Sequence, residues 1–198
     1  MRPLIDDRLL AKFNEDLTMP LSYTELMKLV EQGVIIAEPE LVNGASIDVR
    51  LDQHVLIERE YVYSHPVVDL SAKESPDMIG FDIPESGLLL SPGQCMLAAT
   101  MEVFNLPNDI VCEFKLKSSI ARCFLNCMLA TWCDPCWYNS RLTLELKNDC
   151  QYHTLLLRAG MKIGQMIFDR VEPVPEQHSY AVKGRYNNTM KVTVSKGV

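Results

Sequence analysis

Residues 110–148, IVCEFKLKSSIARCFLNCMLATWCDPCWYNSRLTLELKN, set the fold class of this chain. Both ends of the stretch alternate apolar and polar residues, the period-two pattern of a half-buried strand. In the first, Ile110, Cys112, Phe114 and Leu116 share a face opposite Glu113, Lys115 and Lys117. In the second, Leu142, Leu144 and Leu146 stand opposite Arg141, Thr143, Glu145 and Lys147. Between them, two lysines lead into Ser118-Ser119, Arg122 follows, and Glu145 waits on the later strand. That grouping suits an anionic ligand with an acid/base group beside it.

Outward from this stretch the same texture continues. Further strands are expected over Ile47–Leu51, Val55–Tyr63, Gly87–Leu90, Met96–Phe104, Leu155–Leu157 and Ile163–Phe168, punctuated by Asn43-Gly44, Ser91-Pro92-Gly93, Leu106-Pro107-Asn108 and Arg158-Ala159-Gly160. Over Ile47–Leu51 the alternation sets Ile47, Val49 and Leu51 on one face and Asp48, Arg50 and Asp52 on the other. Many short strands with little helix after residue 33 predict a mainly β domain, an antiparallel barrel or jelly-roll sandwich, over residues 19–198. Ahead of it, Leu9, Leu10, Phe13 and Leu17 mark a helical extension over residues 1–18, and Ser22 with Glu25 forms a capping box for a second helix ended by Gly33. From about Glu172 the chain turns polar and proline-bearing, the composition of a frayed end or of a flap that orders over a ligand.

The chain has 198 residues, 47% hydrophobic and 23% charged, enough for one well-buried core. No apolar run reaches the length of a membrane span. MRPLIDDRLL places acidic residues where a secretion signal has its apolar core, so a cytoplasmic location is expected. A net charge of −7 argues against general nucleic-acid binding, although positive charge concentrated at Lys115, Lys117 and Arg122 can still hold a phosphate. The seven cysteines are an odd number and are expected to be reduced thiols.

Zinc chemistry deserves a test because Cys133-Asp134-Pro135-Cys136 is a CxxC and Cys123 and Cys127 lie four apart. Zinc deaminases join H-x-E to P-C-x-x-C, and none of His54, His65, His153 and His178 is followed by x-Glu. Buried thiols are the better reading. Lys115-Leu-Lys-Ser-Ser-Ile-Ala-Arg122 is either a phosphate cradle, with Lys117 as a point charge and Arg122 as a rigid donor fork, or a solvated basic strand end. Glu145 is either a solvent-facing strand carboxylate or, if its face excludes water, an acid/base. Asp134, before Pro135, is a turn residue or a reader of sugar or base.

At these residues the chain resembles the dCTP deaminases of the dCTP deaminase/dUTPase superfamily. Asn43-Gly-Ala-Ser-Ile-Asp-Val-Arg-Leu51 is similar to the family's N-G-A-T-V-D-V-R-L, Lys117–Arg122 to [RK]-S-S-L-[AG]-R, Asp134-Pro135-x-Trp137 to D-P-G-[WF], and Leu144-Glu145-Leu146-x-Asn148 to L-E-[FL]-x-N. Pro92-Gly93 and Arg158–Gln165 stand where the family has PGE and PGMKIGQ, so the likeness runs in order over about residues 19–190.

The resemblance implies a homotrimer of distorted β-barrels with active sites at subunit interfaces. It implies deamination of dCTP to dUTP and ammonia without zinc, Mg²⁺ entering on the triphosphate, and dUTP or dTTP as product or regulator. Glu145 would be the acid/base, with Ser118 holding the water and contacting phosphate, and Arg122 polarising the site. Lys117 and Ser119 would bind phosphates, Asp134 the deoxyribose 3′-hydroxyl, and Thr131 the substrate. Tyr180 and Arg185 would act from a closing tail. This sequence departs from the pattern at Leu116 and Cys136, where the family has Gly, at Thr189, where the tail has Gln, and in its spacing between Ala130 and Glu145. Those changes leave room for a bifunctional enzyme that continues to dUMP, for dCMP or a modified cytosine nucleotide as substrate, for a dUTPase, or for a non-catalytic nucleotide sensor.

Overall fold

In the computed structural model, which describes residues 20–128 and 130–197, helix α1 (Tyr23–Glu31) opens the chain. Strands β1 (Ile35–Ile36), β2 (Ile47–Arg50), β3 (His54–Glu58), β4 (Met78–Asp82), β5 (Leu88–Leu90), β6 (Cys95–Ala99), β7 (Val103–Phe104) and β8 (Ile110–Leu116) follow. A short helix α2 (Ser118–Ala121) leads to β9 (Leu125–Cys127), β10 (Trp132–Cys133), β11 (Thr143–Asn148), β12 (Leu155–Leu157), β13 (Lys162–Arg170) and a last helix α3 (Tyr180–Lys183). The helix expected over residues 1–18 lies outside the described residues.

The capping box forms: the Glu25 carboxylate accepts from the Ser22 N–H at 3.0 Å and from its hydroxyl at 2.8 Å. Leu26 and Leu29 face inward, and Gly33 stops the helix at φ +70°, a conformation that costs a residue with a Cβ.

The strands make two sheets, one of four strands in the order β10-β8-β13-β2 and one of five in the order β4-β3-β6-β11-β9. Two-stranded ribbons β1-β7 and β12-β5 border them. The mainly β class is as expected, and of the two architectures weighed it is the sandwich. The sheets keep free edges and do not close into a barrel. Val49, Phe114, Met166 and Phe168 of the first sheet meet Val55, Met96, Leu144 and Leu146 of the second in one core. Phe104 lies stacked on Trp137 at 5.5 Å between ring centroids and tilted against Phe168 at 6.3 Å.

Three expectations are corrected. The strand expected over Val55–Tyr63 ends at Glu58, because its partner β4 pairs only as far as Met78. The strand expected over Met96–Phe104 breaks into β6 and β7, where the buried Thr100 hydroxyl donates to Glu102 O at 3.0 Å. The polar face of β2 is not wet. Asp48 is 3% exposed and Glu102 1% exposed, and each is paired inside the protein. Asp48 accepts from Lys117 at 2.6 Å, Lys162 at 3.0 Å and Asn43 at 2.9 Å, while Glu102 takes Arg50 Nε at 2.9 Å and Arg50 N–H at 2.8 Å. Burial opposes ionisation of Asp48, but the hydrogen bonds outweigh it and hold its carboxyl below the usual range. Period-two alternation counts polarity and cannot see such pairing.

The β8–β13 seam also explains one glycine of the IGQ segment. Gly164 pairs with Leu116, and a methyl group on it would lie 2.1 Å from the Phe114 ring and 2.8 Å from Lys115 O. Gly164→Ala is expected to lower the unfolding free energy by about 1–3 kcal/mol, the usual cost of overpacking. A lowered urea midpoint at unchanged m-value is the check.

Candidate active site

β11 buries Leu144, Leu146 and Asn148 on one side and turns Thr143, Glu145 and Lys147 to the other. Glu145 pairs with Leu97 of β6 in the middle of the five-stranded sheet. Its face is roofed by the end of the chain: Arg141 N–H donates to Thr189 O at 2.8 Å and Thr193 N–H to Thr143 Oγ1 at 3.4 Å. Between sheet and roof lies a cavity of about 600 Å³, walled by Trp132, Trp137, Tyr180, Tyr186, Met96 and Met128, with Glu145 in its lining.

In this cavity Glu145 Oε2 is buried without a hydrogen-bond partner. Burial raises its pKa above the ordinary glutamate value of 4.5, and a hydrogen bond from its own backbone offsets that only in part. The neighbouring Cys127 thiol is pushed up to about 11, first by burial and then by the Glu145 charge. A carboxyl of this kind holds a proton closer to neutrality than a wet one, so it can both take and give one. Glu145 is thus half-buried, with one oxygen out of water, and is not a freely solvated strand carboxylate.

The other candidates lie apart from it. Lys117 caps α2, whose Ile120 and Ala121 N–H groups donate to Lys117 O at 2.9 Å each. Ser118, Ser119 and Arg122 are exposed on that short helix, and none of the four lines the Glu145 cavity. The Lys117 ammonium is bound to buried Asp48, so part of its charge is already matched within the chain. Thr131 is buried beside β10, with its hydroxyl 3.5 Å from Glu113, and Asp134 is exposed and accepts from Trp132 Nε1 at 3.0 Å. Neither borders the cavity. Tyr180 does, and its phenol is raised by burial; Arg185 is exposed and donates to Gly197 O.

Cys136 is where the loop departs most clearly from ordinary backbone. Trp137 N–H donates back to Asp134 O at 3.2 Å, and Cys136 holds φ +67°. Pro at the second position and positive φ at the third are the marks of a type II turn, which favours Gly there. Leu116, by contrast, is an ordinary strand residue paired with Gly164, so the missing glycine at that point leaves no strain. The tail is bound to this loop. Trp137 Nε1 and Ser140 Oγ reach Tyr186 O at 3.2 and 2.9 Å, and Thr189 N–H donates to Ser140 Oγ at 3.1 Å. Asn187 Oδ1 accepts from Tyr138 N–H at 2.8 Å, and Asn139 donates to Asn188 at 2.9 Å. These bonds hold residues 186–189 of the tail against the loop.

Comparison with known proteins agrees with these motifs. Residues 20–171 match the family described as dCTP deaminase-like. The chain belongs to that family. A protein of Methanosphaerula palustris named dCTP deaminase, dUMP-forming is 32% identical over 176 residues, covering 87% of this chain and 92% of the relative. One of the same name from Thermobifida fusca is 34% identical over 186 residues, covering 90% and 92%. The crystal structure of 2′-deoxycytidine 5′-triphosphate deaminase from Agrobacterium tumefaciens aligns with a TM-score of 0.59 at 18% identity. It covers 77% of this chain, which spans 48% of that longer protein, and the likeness bears on the fold alone.

Within this dCTP deaminase-like chain, sequence reasoning missed the aromatic wall and Arg141. Arg141 lines the cavity, pairs with Asp52 at 2.7 Å and leaves its Nε buried without a partner. Its place on the Glu145 face of the alternating segment was the available signal. The CxxC pair and Cys123/Cys127 do not assemble: among the described residues, no group of three or more His, Cys, Asp or Glu is placed to hold a metal ion. Replacing the left-handed Cys136 by Gly is expected to raise stability by about 0.5–1 kcal/mol. Relief of roughly 1–2 kcal/mol of backbone strain exceeds the entropy cost of a glycine. A higher thermal midpoint of Cys136→Gly is the measurement.

Proposed function

We propose that this protein hydrolytically deaminates dCTP and carries the product on to dUMP. The deamination reading rests on one observation, the buried Glu145 carboxyl with its unpartnered oxygen in a cavity walled by aromatic and methionine side chains. Glu145 takes a proton from a water as the oxygen bonds to C4 of cytosine, and passes a proton to N3. A second proton transfer to the amino group lets the C4–N bond break, so that ammonia leaves and C4 becomes the uracil carbonyl. One carboxyl with a raised pKa suits all of these transfers.

The onward step is supported by the relatives' shared name, dUMP-forming. The expectation of dUTP as end product therefore gives way to the bifunctional alternative: water attacks the α-phosphorus of dUTP and pyrophosphate leaves. Mg²⁺ enters on the triphosphate as part of the substrate. Lys117, Ser118, Ser119 and Arg122 supply phosphate contacts, Ser118 and Arg122 also act at the reacting base, and Asp134 and Thr131 act at the nucleoside. Because the exposed α2 cradle stands outside the Glu145 cavity, these groups meet when another copy of the chain completes the site, as in a homotrimer. Tyr180 and Arg185 belong to the tail that roofs it. The proposed location is the cytoplasm, with free nucleotides as partners; among the described residues no helix is long and apolar enough to cross a membrane.

Incubation with dCTP and Mg²⁺, with products resolved by chromatography, is expected to yield dUMP, pyrophosphate and ammonia. dUTP as the only nucleotide product would remove the onward step. Unchanged dCTP with measurable binding would leave a sensor. Glu145→Gln is expected to lower kcat by about 10²–10⁴-fold, the range for loss of a general acid/base, while dCTP still binds.

The same variant tests the burial of the carboxyl. Since the folded pKa lies above 4.5, the folded state binds more protons than the unfolded one between those two values. Stability from the protonated form is full below 4.5 and is lost as pH rises through the folded value. Glutamine does not titrate, so the stability of Glu145→Gln relative to the wild type should rise from acid to neutral pH. Denaturant unfolding across that range is the check, and a pH-independent difference would count against the burial.

A further inference from the structure

We infer that Cys123 and Cys150 form a reversible thiol–disulfide modification site that takes a peroxide as oxidant. The β9–β11 ladder pairs Leu125 with Asn148, Asn126 with Lys147 and Cys127 with Leu146. Past its end, Asp149 N–H donates to Phe124 O at 2.9 Å, and the end of β11 there meets the turn that holds Cys123.

The classes of the ladder's rows follow from its hydrogen bonds. Antiparallel ladders alternate between hydrogen-bonded pairs and non-hydrogen-bonded pairs, and the second kind brings its residues closer. Met128 N–H donates to Glu145 O and Asp149 N–H to Phe124 O, both at 2.9 Å. Those two rows, with Asn126 and Lys147 between them, are the hydrogen-bonded class. Counting on would set Cys123 opposite Cys150 on the closer kind of row, but Cys123 lies in the turn after α2, and the left-handed Phe124 ends the ladder before it. What brings the two together is the Cys150 thiol, which reaches Cys123 O at 3.2 Å.

Access distinguishes this pair from the opposed Cys112 and Cys133. Cys123 is exposed, Cys150 is half-buried, and both are free thiols. Cys112 and Cys133 face each other across β8 and β10. Phe114 N–H donates to Thr131 O at 3.0 Å, which puts that pair in the wider, hydrogen-bonded class. Both of its thiols are buried, and burial holds the Cys112 thiol far from ionisation.

The exposed Cys123 thiolate attacks one peroxide oxygen, the O–O bond breaks, and the departing hydroxide takes up a proton to become water. Cys150 sulfur then attacks the Cys123 sulfenic acid, the S–S bond forms, and a second water leaves. Two thiols lose two electrons and the peroxide is reduced to two waters. The bond ties the turn after α2, where Phe124 holds φ +59°, to the end of the strand that carries Glu145. It stands independently of the proposed activity.

The test uses the full chain, reduced, desalted and exposed to hydrogen peroxide, then alkylated, digested with trypsin and mapped by mass spectrometry. Cys150 is the sole cysteine of the tryptic peptide Asn148–Arg158, and Cys123 opens the peptide Cys123–Arg141. The expected result is a cross-link between these peptides that dithiothreitol reverses. It should disappear in Cys123→Ser and Cys150→Ser and persist in Cys112→Ser. Wild-type Cys150 remaining open to alkylation after peroxide overturns the inference, and so does a cross-link that survives in Cys123→Ser. The wild-type arm needs no variant to fold.

Discussion

One oxygen of the half-buried Glu145 carboxyl is kept out of water on a strand packed on one face and partly roofed on the other, and much of the chain serves that arrangement. On one face Leu144 and Leu146 enter the core. The strand's end is held by Asn148, whose amide donates to Leu90 O and His153 O at 2.8 Å each and accepts from Cys150 N–H at 2.8 Å. The other face is partly covered where the tail crosses it. A carboxylate there lacks the partners that make burial cheap, and its proton affinity rises in consequence.

The other buried carboxylates make the contrast useful. Asp48 and Glu102 are more deeply buried than Glu145, yet each is met by cations and N–H donors and acts as structure. Glu145 is the carboxylate left without such partners on one oxygen. What sets the Glu145 carboxyl apart from those two is the company it keeps, not the depth at which it lies.

The loop that differs most from the family pattern and the tail that differs with it are one hydrogen-bonded unit. Ser140 Oγ lies 2.8 Å from Tyr138 O and 2.9 Å from Tyr186 O, with one proton to share between them, and accepts from Thr189 N–H, so a single hydroxyl joins the turn to the roof. Gly184 packs against the Tyr180 ring so closely that a methyl group there would lie 2.1 Å from it. The roof is therefore set by contacts with residues 136–141, and changes in either segment are felt by the other.

Much of this was legible beforehand. The alternation over Ile110–Lys117 and Leu142–Leu146 identified the strands observed as β8 and β11, and Ser22, Glu25 and Gly33 bounded the helix, because both patterns depend on neighbours in the chain. The motifs around Lys117, Asp134 and Glu145 identified the family. Short strands such as β9 and β10 were not legible, since two or three residues carry no period and take their form from β11 and β8. Nor could alternation foresee that Asp48 would be buried, that Arg141 and the aromatic side chains would wall a cavity, or that Cys136 would hold a left-handed turn. By itself the sequence determined the fold class and the family, both of which rest on local order along the chain. Only the tertiary structure decided which carboxylates are dry and which cysteines face each other, because desolvation and pairing come from residues far apart in sequence.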